Sequence, residues 1–332
     1  MRSKLLVPLL AALPAVALLA QSSAPPPPAD EKPEDFVIRV ETDVVNVLAT
    51  VRDKKGNLVT SLTKDDFEIY EDGEPQEVRY FTTNTDLPLT IGLLVDTSVS
   101  QERLLYEERS AGFAFYDAVI RKAKDLAFLM SFDVDIELLQ DLTSSKNLLH
   151  DGLEQLRIQG GGGGITPGPV PQSGKPVGTA MYDAIYLAAD EVLKPQVGRK
   201  AIVLITDGND YGSHYSLDEA LAASHKSDVV IYSVRYFDRE FYFRSGGFGT
   251  GGGGSLKKLA QETGGSVHEV SRKHTLKEIL DEINAELRSQ YSIGYSPKRD
   301  LSQEGFRKLQ VRVKPKGYDV QAREGYYPSA VR

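Results

Sequence analysis

Apolar and polar residues alternate near both ends of the chain, while continuous apolar runs fill its middle. In VVNVLATVRD (44–53), Val45, Val47, Ala49 and Val51 fall on one face, the period-two signature of a half-buried strand. KKGN (54–57) reads as a turn, and FEIYEDGEPQEVRYF (67–81) as a hairpin. Its Phe67 and Ile69 alternate before the EDGEP turn, and Val78 and Tyr80 after it. Alternation returns late in the chain. Tyr291, Ile293 and Tyr295 share a face, and in RKLQVRVKP (307–315) Leu309, Val311 and Val313 point in while Lys308, Gln310, Arg312 and Lys314 point out.

Between these ends the period changes. LTIGLLVD (89–96), KAIVLITDG (200–208) and VVIYSVRYF (229–237) are apolar runs expected of strands covered on both faces. AFLMSF and DIELLQ are shorter strands close enough to form a hairpin, and SVHEV (266–270) is another short strand. Helical spacing is predicted over 101–125, through Leu104, Leu105, Ala111, Phe115 and Val119. It is also predicted over 144–157 behind a serine cap, over 178–193, over 216–228, over 256–265 with a glycine stop, and over 275–290. Strands alternating with helices from about 88 to 290 imply an α/β fold, a doubly wound, mostly parallel sheet flanked by helices.

Neither all-β piece has enough strands for a core of its own. Residues 30–86 carry seven Lys/Arg against fifteen Asp/Glu, and residues 298–332 carry nine against four. Opposite charge and like strand character predict that segments 36–87 and 291–332 join into one small all-β sandwich, with 88–290 inserted in it. Two glycine tracts, 161–178 and 245–255, read as flexible loops, and YFDREFYF (236–243) suits an exposed contact loop and a buried strand end equally.

The first 24 residues change the expected location. Arg2 and Lys4 precede an apolar run from Leu5 to Ala20, broken by Pro8 and Pro14, and Ser22 and Ala24 form a small-x-small cleavage site. This predicts a cleaved signal peptide over 1–24 and a secreted, periplasmic or cell-envelope protein, with a proline-rich acidic linker over 25–35. The apolar run is short for a spanning helix, and the mature chain is expected to hold no transmembrane segment. Absence of cysteine rules out disulfides, thiolate metal sites and a cysteine nucleophile. A net charge of −8 argues against nucleic acid as the main partner.

Candidate chemistry gathers at the strand ends. Ligands of open α/β sheets bind outside the carboxyl ends of the strands. Asp96 ends the first buried strand, Ser98 and Ser100 follow it, Thr179 opens a helix, and Asp207 ends the strand AIVLIT. Two carboxylates and three hydroxyls, without histidine or cysteine, suit a hard divalent cation. Helix capping accounts for one such residue but not for five in register.

The set DTSVS (96–100), GTA (178–180) and TDG (206–208) resembles the metal-ion-dependent adhesion site of the von Willebrand factor A domain family. The flanks FEIYEDGEPQEV, YSIGYSP and REGYY extend the resemblance to the secreted VWFA-related proteins first described in Acidobacteria. The resemblance implies Mg²⁺ (or Mn²⁺ or Ca²⁺) touched directly by Ser98, Ser100 and Thr179, with Asp96 and Asp207 often acting through water. It also implies a non-enzymatic module whose protein partner presents an Asp or Glu to the metal. The long glycine loop before Thr179 and the insertion at 245–255 depart from the family pattern and leave the shape of the ligand face open.

Other chemistries fare less well. SGKPVGT (173–179) hints at a phosphate loop, but Pro176 removes a backbone N–H from the cradle. An Asp96 phosphoryl acceptor would want a carboxylate where Ser98 stands. A serine hydrolase on Ser98 or Ser100 would need a base, and among the five histidines only His214 is expected near the site; there is no G-x-S-x-G elbow. A structural envelope protein with a non-functional metal site is the remaining alternative.

Overall fold

A computed structural model describes residues 44–83, 87–158, 178–237 and 252–328. The expected signal peptide and linker, and most of both glycine tracts, lie outside them.

At the centre is a six-stranded sheet. Its strands are β5 (Leu89–Asp96), β6 (Leu126–Phe132), β7 (Ile136–Thr143), β8 (Arg199–Thr206), β9 (Val229–Arg235) and β10 (Val267–Glu269), in the order β10-β9-β8-β5-β6-β7. All pairs are parallel except the β6–β7 hairpin. Counted from β5, this is the doubly wound order 3-2-1-4-5-6, whose switch point lies between β5 and β8.

Every residue of β5 and β8 is buried, because both faces of the sheet are covered. Ile91, Leu93, Val203 and Ile205 pack on one side with α1 (Leu105–Val119), α2 (Lys146–Glu154) and the long helix Leu276–Ser289. Leu94, Ile202 and Leu204 pack on the other with α3 (Met181–Leu187), α4 (Leu217–Lys226) and α5 (Gly253–Thr263). The long helix, α6, is amphipathic and opens on a Thr275–Glu278 capping box.

Strands from both ends of the chain interleave in two further antiparallel sheets. One has the order β13-β1-β11-β4 and the other β14-β12-β2-β3. Their strands are β1 (Val45–Asp53), β2 (Phe67–Glu71), β3 (Glu74–Gln76), β4 (Val78–Thr82), β11 (Tyr291–Tyr295), β12 (Arg307–Val313), β13 (Tyr318–Ala322) and β14 (Gly325–Tyr326). Val47, Ala49, Phe67, Ile69, Tyr291, Ile293 and Leu309 share one core between them. At its edge, Arg307 and Glu71 form a buried ion pair at 3.0 Å, and the hydroxyls of Tyr295 (2.6 Å) and Tyr326 (2.9 Å) donate to the same carboxylate.

Three expectations need correction. The hairpin predicted over 67–81 is shorter: β2 turns at Asp72-Gly73 into β3, and after Glu77 the chain crosses to the other sheet, where β4 pairs with β11. Tyr80 is exposed, not part of the inward face. The helix predicted over 101–125 runs only from Leu105 to Val119, after a 3₁₀ turn at Val99–Gln101. It stops because the buried Asp125 carboxylate takes the Arg121 N–H (3.1 Å) and its guanidinium (2.7 Å), pulling the chain into a turn. Finally, residues 253–255 of the second glycine tract are not loop but the first residues of α5, with Gly252 as its N-cap.

Candidate metal centre

Asp96 and Asp207 stand at the switch point, at the ends of the adjacent strands β5 and β8. Asp96 is wholly buried. Its Oδ1 accepts the Ser98 N–H at 3.0 Å, which folds the loop back over the strand end, and its Oδ2 accepts the Thr206 hydroxyl at 2.6 Å. The Thr97 N–H donates to the Phe132 carbonyl at 2.9 Å, tying the same loop to β6.

From there a chain of oxygens crosses the switch point. Ser98 Oγ lies 3.0 Å from Ser100 Oγ, and Ser100 Oγ donates to Asp207 Oδ2 at 2.8 Å. Asp207 Oδ1 accepts the Asn209 N–H at 2.9 Å. Of these four residues only Ser98 is appreciably exposed, so it marks the side open to solvent. The TDG turn depends on its glycine. Gly208 has φ +86°, and a Cβ there would meet the Gly252 carbonyl oxygen at 2.8 Å, so the second glycine tract begins α5 directly against the turn.

Thr179 is buried two residues before α3, at the same sheet edge. The Ala180 N–H donates to the Asp133 carbonyl beyond β6 (2.7 Å), and the Thr179 carbonyl accepts from Tyr211 N–H (3.1 Å) on the loop that follows Asp207. The structure thus joins Asp96, Ser98, Ser100 and Asp207 through short hydrogen bonds. It places Thr179 on a neighbouring loop, without a hydrogen bond from its side chain to the other four.

No Lys or Arg among the described residues pairs with Asp96. Burial, reinforced by the charge of Asp207, pushes the Asp96 carboxyl up to about 7 even though Ser98 and Thr206 hydrogen-bond to it. Sequence reasoning passed over a third carboxyl beneath. Glu108 on α1 is wholly buried, and neither of its oxygens has a hydrogen-bond partner. Burial first, then the Asp96 charge, holds it well above the usual carboxylate range. The signal was present: Leu104, Glu108, Ala111 and Phe115 form a core stripe at helical spacing, with an acid in it.

His214 is mostly exposed and serves another group. Its Nδ1 lies 2.9 Å from Asp183 Oδ2, while the backbone N–H groups of His214 and Tyr215 donate to Asp183 Oδ1 at 2.8 Å. Among the described residues, no imidazole hydrogen-bonds Ser98 or Ser100.

No protein-family model matches the chain, and no curated protein matches it. Solved structures do. A conserved hypothetical protein, BatB, from Bacteroides thetaiotaomicron is 20% identical, with a TM-score of 0.42 over 60% of this chain and 97% of its own. The vWF domain of the type V pili tip protein Mfa5 from Porphyromonas gingivalis is 11% identical, at 0.45 over 60% and 95%. Proximal thread matrix protein 1 of the mussel byssus, in a form with a zinc-occupied MIDAS motif, is 17% identical, at 0.46 over 66% and 50%. This chain therefore spans about half the length of the byssus protein. All three scores lie below 0.5, and the chemistry of the site rests on its own residues.

Proposed function

We propose that the protein is an exported, non-enzymatic binding module that holds a divalent cation at Asp96, Ser98, Ser100, Thr179 and Asp207 and engages a protein partner through a carboxylate. The observation that carries this reading is the hydrogen-bonded set that crosses the switch point of the sheet: Asp96 Oδ1 holds the Ser98 backbone N–H, and the Ser98 and Ser100 hydroxyls lead on to Asp207 Oδ2.

The donor set fits a hard ion. It is all oxygen and includes two carboxylates, and Mg²⁺ takes oxygen ligands in near-octahedral geometry while keeping several waters. Mn²⁺ and Ca²⁺ suit the same donors. Two carboxylates balance the charge of a divalent ion and leave room for one more oxygen. Water would fill that position in the free protein; a partner's Asp or Glu would gain more, because charge-assisted contacts are about twice as strong as neutral ones. Ser98, as the exposed edge of the oxygen run, would face the partner.

Export rests on the basic and apolar pattern of residues 1–24, read as a signal peptide. No helix among the described residues is long and apolar enough to cross a membrane. The hydrolase alternative would need a base on Ser98 or Ser100, whereas Ser100 is spent on a carboxylate and His214 on Asp183.

The test is capture of partner proteins from the native extracellular or envelope fraction by immobilised protein. Capture is expected with Mg²⁺, and is expected to fail in EDTA and with Asp96→Ala. Capture that persists in EDTA, or that survives Asp96→Ala, would place the partner elsewhere on the molecule. Turnover of an ester substrate, lost in Ser98→Ala and His214→Ala alike, would establish the hydrolase instead.

A further inference from the structure

Away from the switch point, at the β10 edge of the central sheet, two histidines and a glutamate converge. His268 lies on β10, His274 in the tight turn that follows, and Glu282 on α6. One ligand atom from each lies within 4.8 Å of those of the other two. His274 Nε2 is 3.1 Å from Glu282 Oε1, and His268 Nδ1 is 3.5 Å from Glu282 Oε2.

These separations suit a bound ion. Two ligand atoms set tetrahedrally at about 2.0–2.1 Å from a metal stand about 3.3–3.4 Å apart. Each histidine faces its own oxygen of Glu282 at a separation close to that value, and a small rotation of the exposed Glu282 side chain would present one oxygen to an ion held by both. As a bare hydrogen bond the His268–Glu282 contact is long.

The surroundings orient the ligands. His268 Nε2 is 2.9 Å from Ser266 Oγ, and Ser266 Oγ donates its single proton to Glu286 Oε2 at 3.3 Å. When the Ser266 proton is directed to Glu286, His268 donates from Nε2 and its Nδ1 lone pair faces Glu282, the tautomer that a metal at Nδ1 requires. This is the outer-sphere arrangement that fixes the tautomer of metal-ligating histidines. His274 is held by paired backbone bonds with Ser271 (2.9 and 3.2 Å), and α6 by the Thr275–Glu278 capping box. His268 is nearly buried, whereas His274 is half-buried and Glu282 exposed, which gives an ion a path from solvent.

We propose a second metal site at His268, His274 and Glu282, of the Zn²⁺ class, chemically separate from the oxygen-only site at Asp96. Two imidazoles and one carboxylate favour a borderline transition metal over Mg²⁺ or Ca²⁺. Three protein ligands leave a fourth position for water. The ion would clamp the edge strand β10, the turn and α6 together. Glu286, the outer partner, also pairs with Arg52 of β1 at 2.6 Å, so the clamp adjoins the contact between α6 and the β-sandwich.

The experiment is Zn²⁺ titration of the full chain against a chromophoric chelator, in excess Mg²⁺. Wild type and Asp96→Ala should each bind one Zn²⁺ with the same affinity. Ser266→Ala should weaken uptake by about 10–100-fold, the range of an outer-sphere partner. His274→Ala and Glu282→Gln, both at accessible positions, should each weaken it at least as much. Wild type without Zn²⁺ uptake at this stoichiometry, or uptake undiminished in both His274→Ala and Glu282→Gln, would overturn the proposal. Loss in Asp96→Ala alone would assign the zinc to the other site.

Discussion

Replacing Glu71 by glutamine keeps the shape of the side chain and removes the charge on which three groups from the C-terminal stretch converge. Arg307, only 1% exposed, donates to Glu71 Oε1 at 3.0 Å, and Tyr295 and Tyr326 donate to Oε2. The variant leaves Arg307 buried against the carbonyls of Arg299 and Gln303 (3.1 and 3.3 Å), which share its protons but do not neutralise it. Breaking one side of a buried pair costs about 3–5 kcal/mol. Tyr326→Phe, which deletes one hydrogen bond to the charged group, should cost about 1.5–3 kcal/mol. The double variant Glu71→Leu/Arg307→Met should recover much of the loss, because the penalty lies in the uncompensated charge rather than in the missing contact. Urea unfolding of the three variants and wild type measures each value, and the double-mutant cycle measures the coupling. A Glu71→Gln cost below about 1 kcal/mol, with the denaturant slope unchanged, would refute the reasoning that this buried pair binds the two ends of the chain.

Other perturbations probe separate parts. Glu108→Met should stabilise the metal-free protein by about 1–3 kcal/mol, since it removes a buried polar group that nothing satisfies; a lower melting temperature in EDTA would contradict this. Residues 88–290 expressed alone should fold, whereas residues 30–86 should not, because β1 and β4 both pair with the C-terminal β11; well-dispersed amide spectra from the N-terminal piece would sink the shared sandwich. Burial, then the Arg323 charge, pushes the His225 imidazole down to about 4. Between pH 6.5 and 4 the unfolded chain therefore binds a proton there that the folded chain does not, so this contribution is complete above pH 6.5 and falls by roughly 3 kcal/mol by pH 4. His225→Gln should flatten the acid limb of a melting-temperature profile; an unchanged limb would rule out His225 as its source.

Much of the fold can be read in the chain because the forces involved are local or periodic. β5, β8 and β9 are continuous apolar runs, which only a sheet covered on both faces accommodates, and the two-residue alternation of β1 picks out its buried Val45, Val47, Ala49 and Val51, whereas β11 is buried on both sides. The candidate site was legible because small oxygen-bearing residues end two such strands, and the doubly wound topology brings those ends together. What escaped is decided by distant partners. Nothing in the alternation of 67–81 shows that the chain changes sheet at Glu77, since the partner β11 lies two hundred residues on. The stop of α1 is set by the buried Asp125, which also bonds Arg288 and the Leu89 N–H. Gly92 breaks the apolar run of β5 for a packing reason: a Cβ there would stand 2.2 Å from the Phe128 ring. His268, His274 and Glu282 show no compact motif, and only the turn after β10 and the return of α6 bring them together.

The central claim is that the oxygen run from Asp96 to Asp207 binds a divalent cation, and thermal unfolding with and without Mg²⁺ tests it most directly. Mg²⁺ favours oxygen donors, so the response reports this site rather than the two-histidine cluster. A ligand that binds only the folded state adds about 2.7 kcal/mol at a hundredfold excess over its Kd. The expected result is a higher melting temperature for wild type in Mg²⁺ than in EDTA, and no difference between the two for a folded Asp96→Ala variant. Wild-type curves that coincide in Mg²⁺ and EDTA, or an Asp96→Ala variant that responds as wild type does, would contradict it.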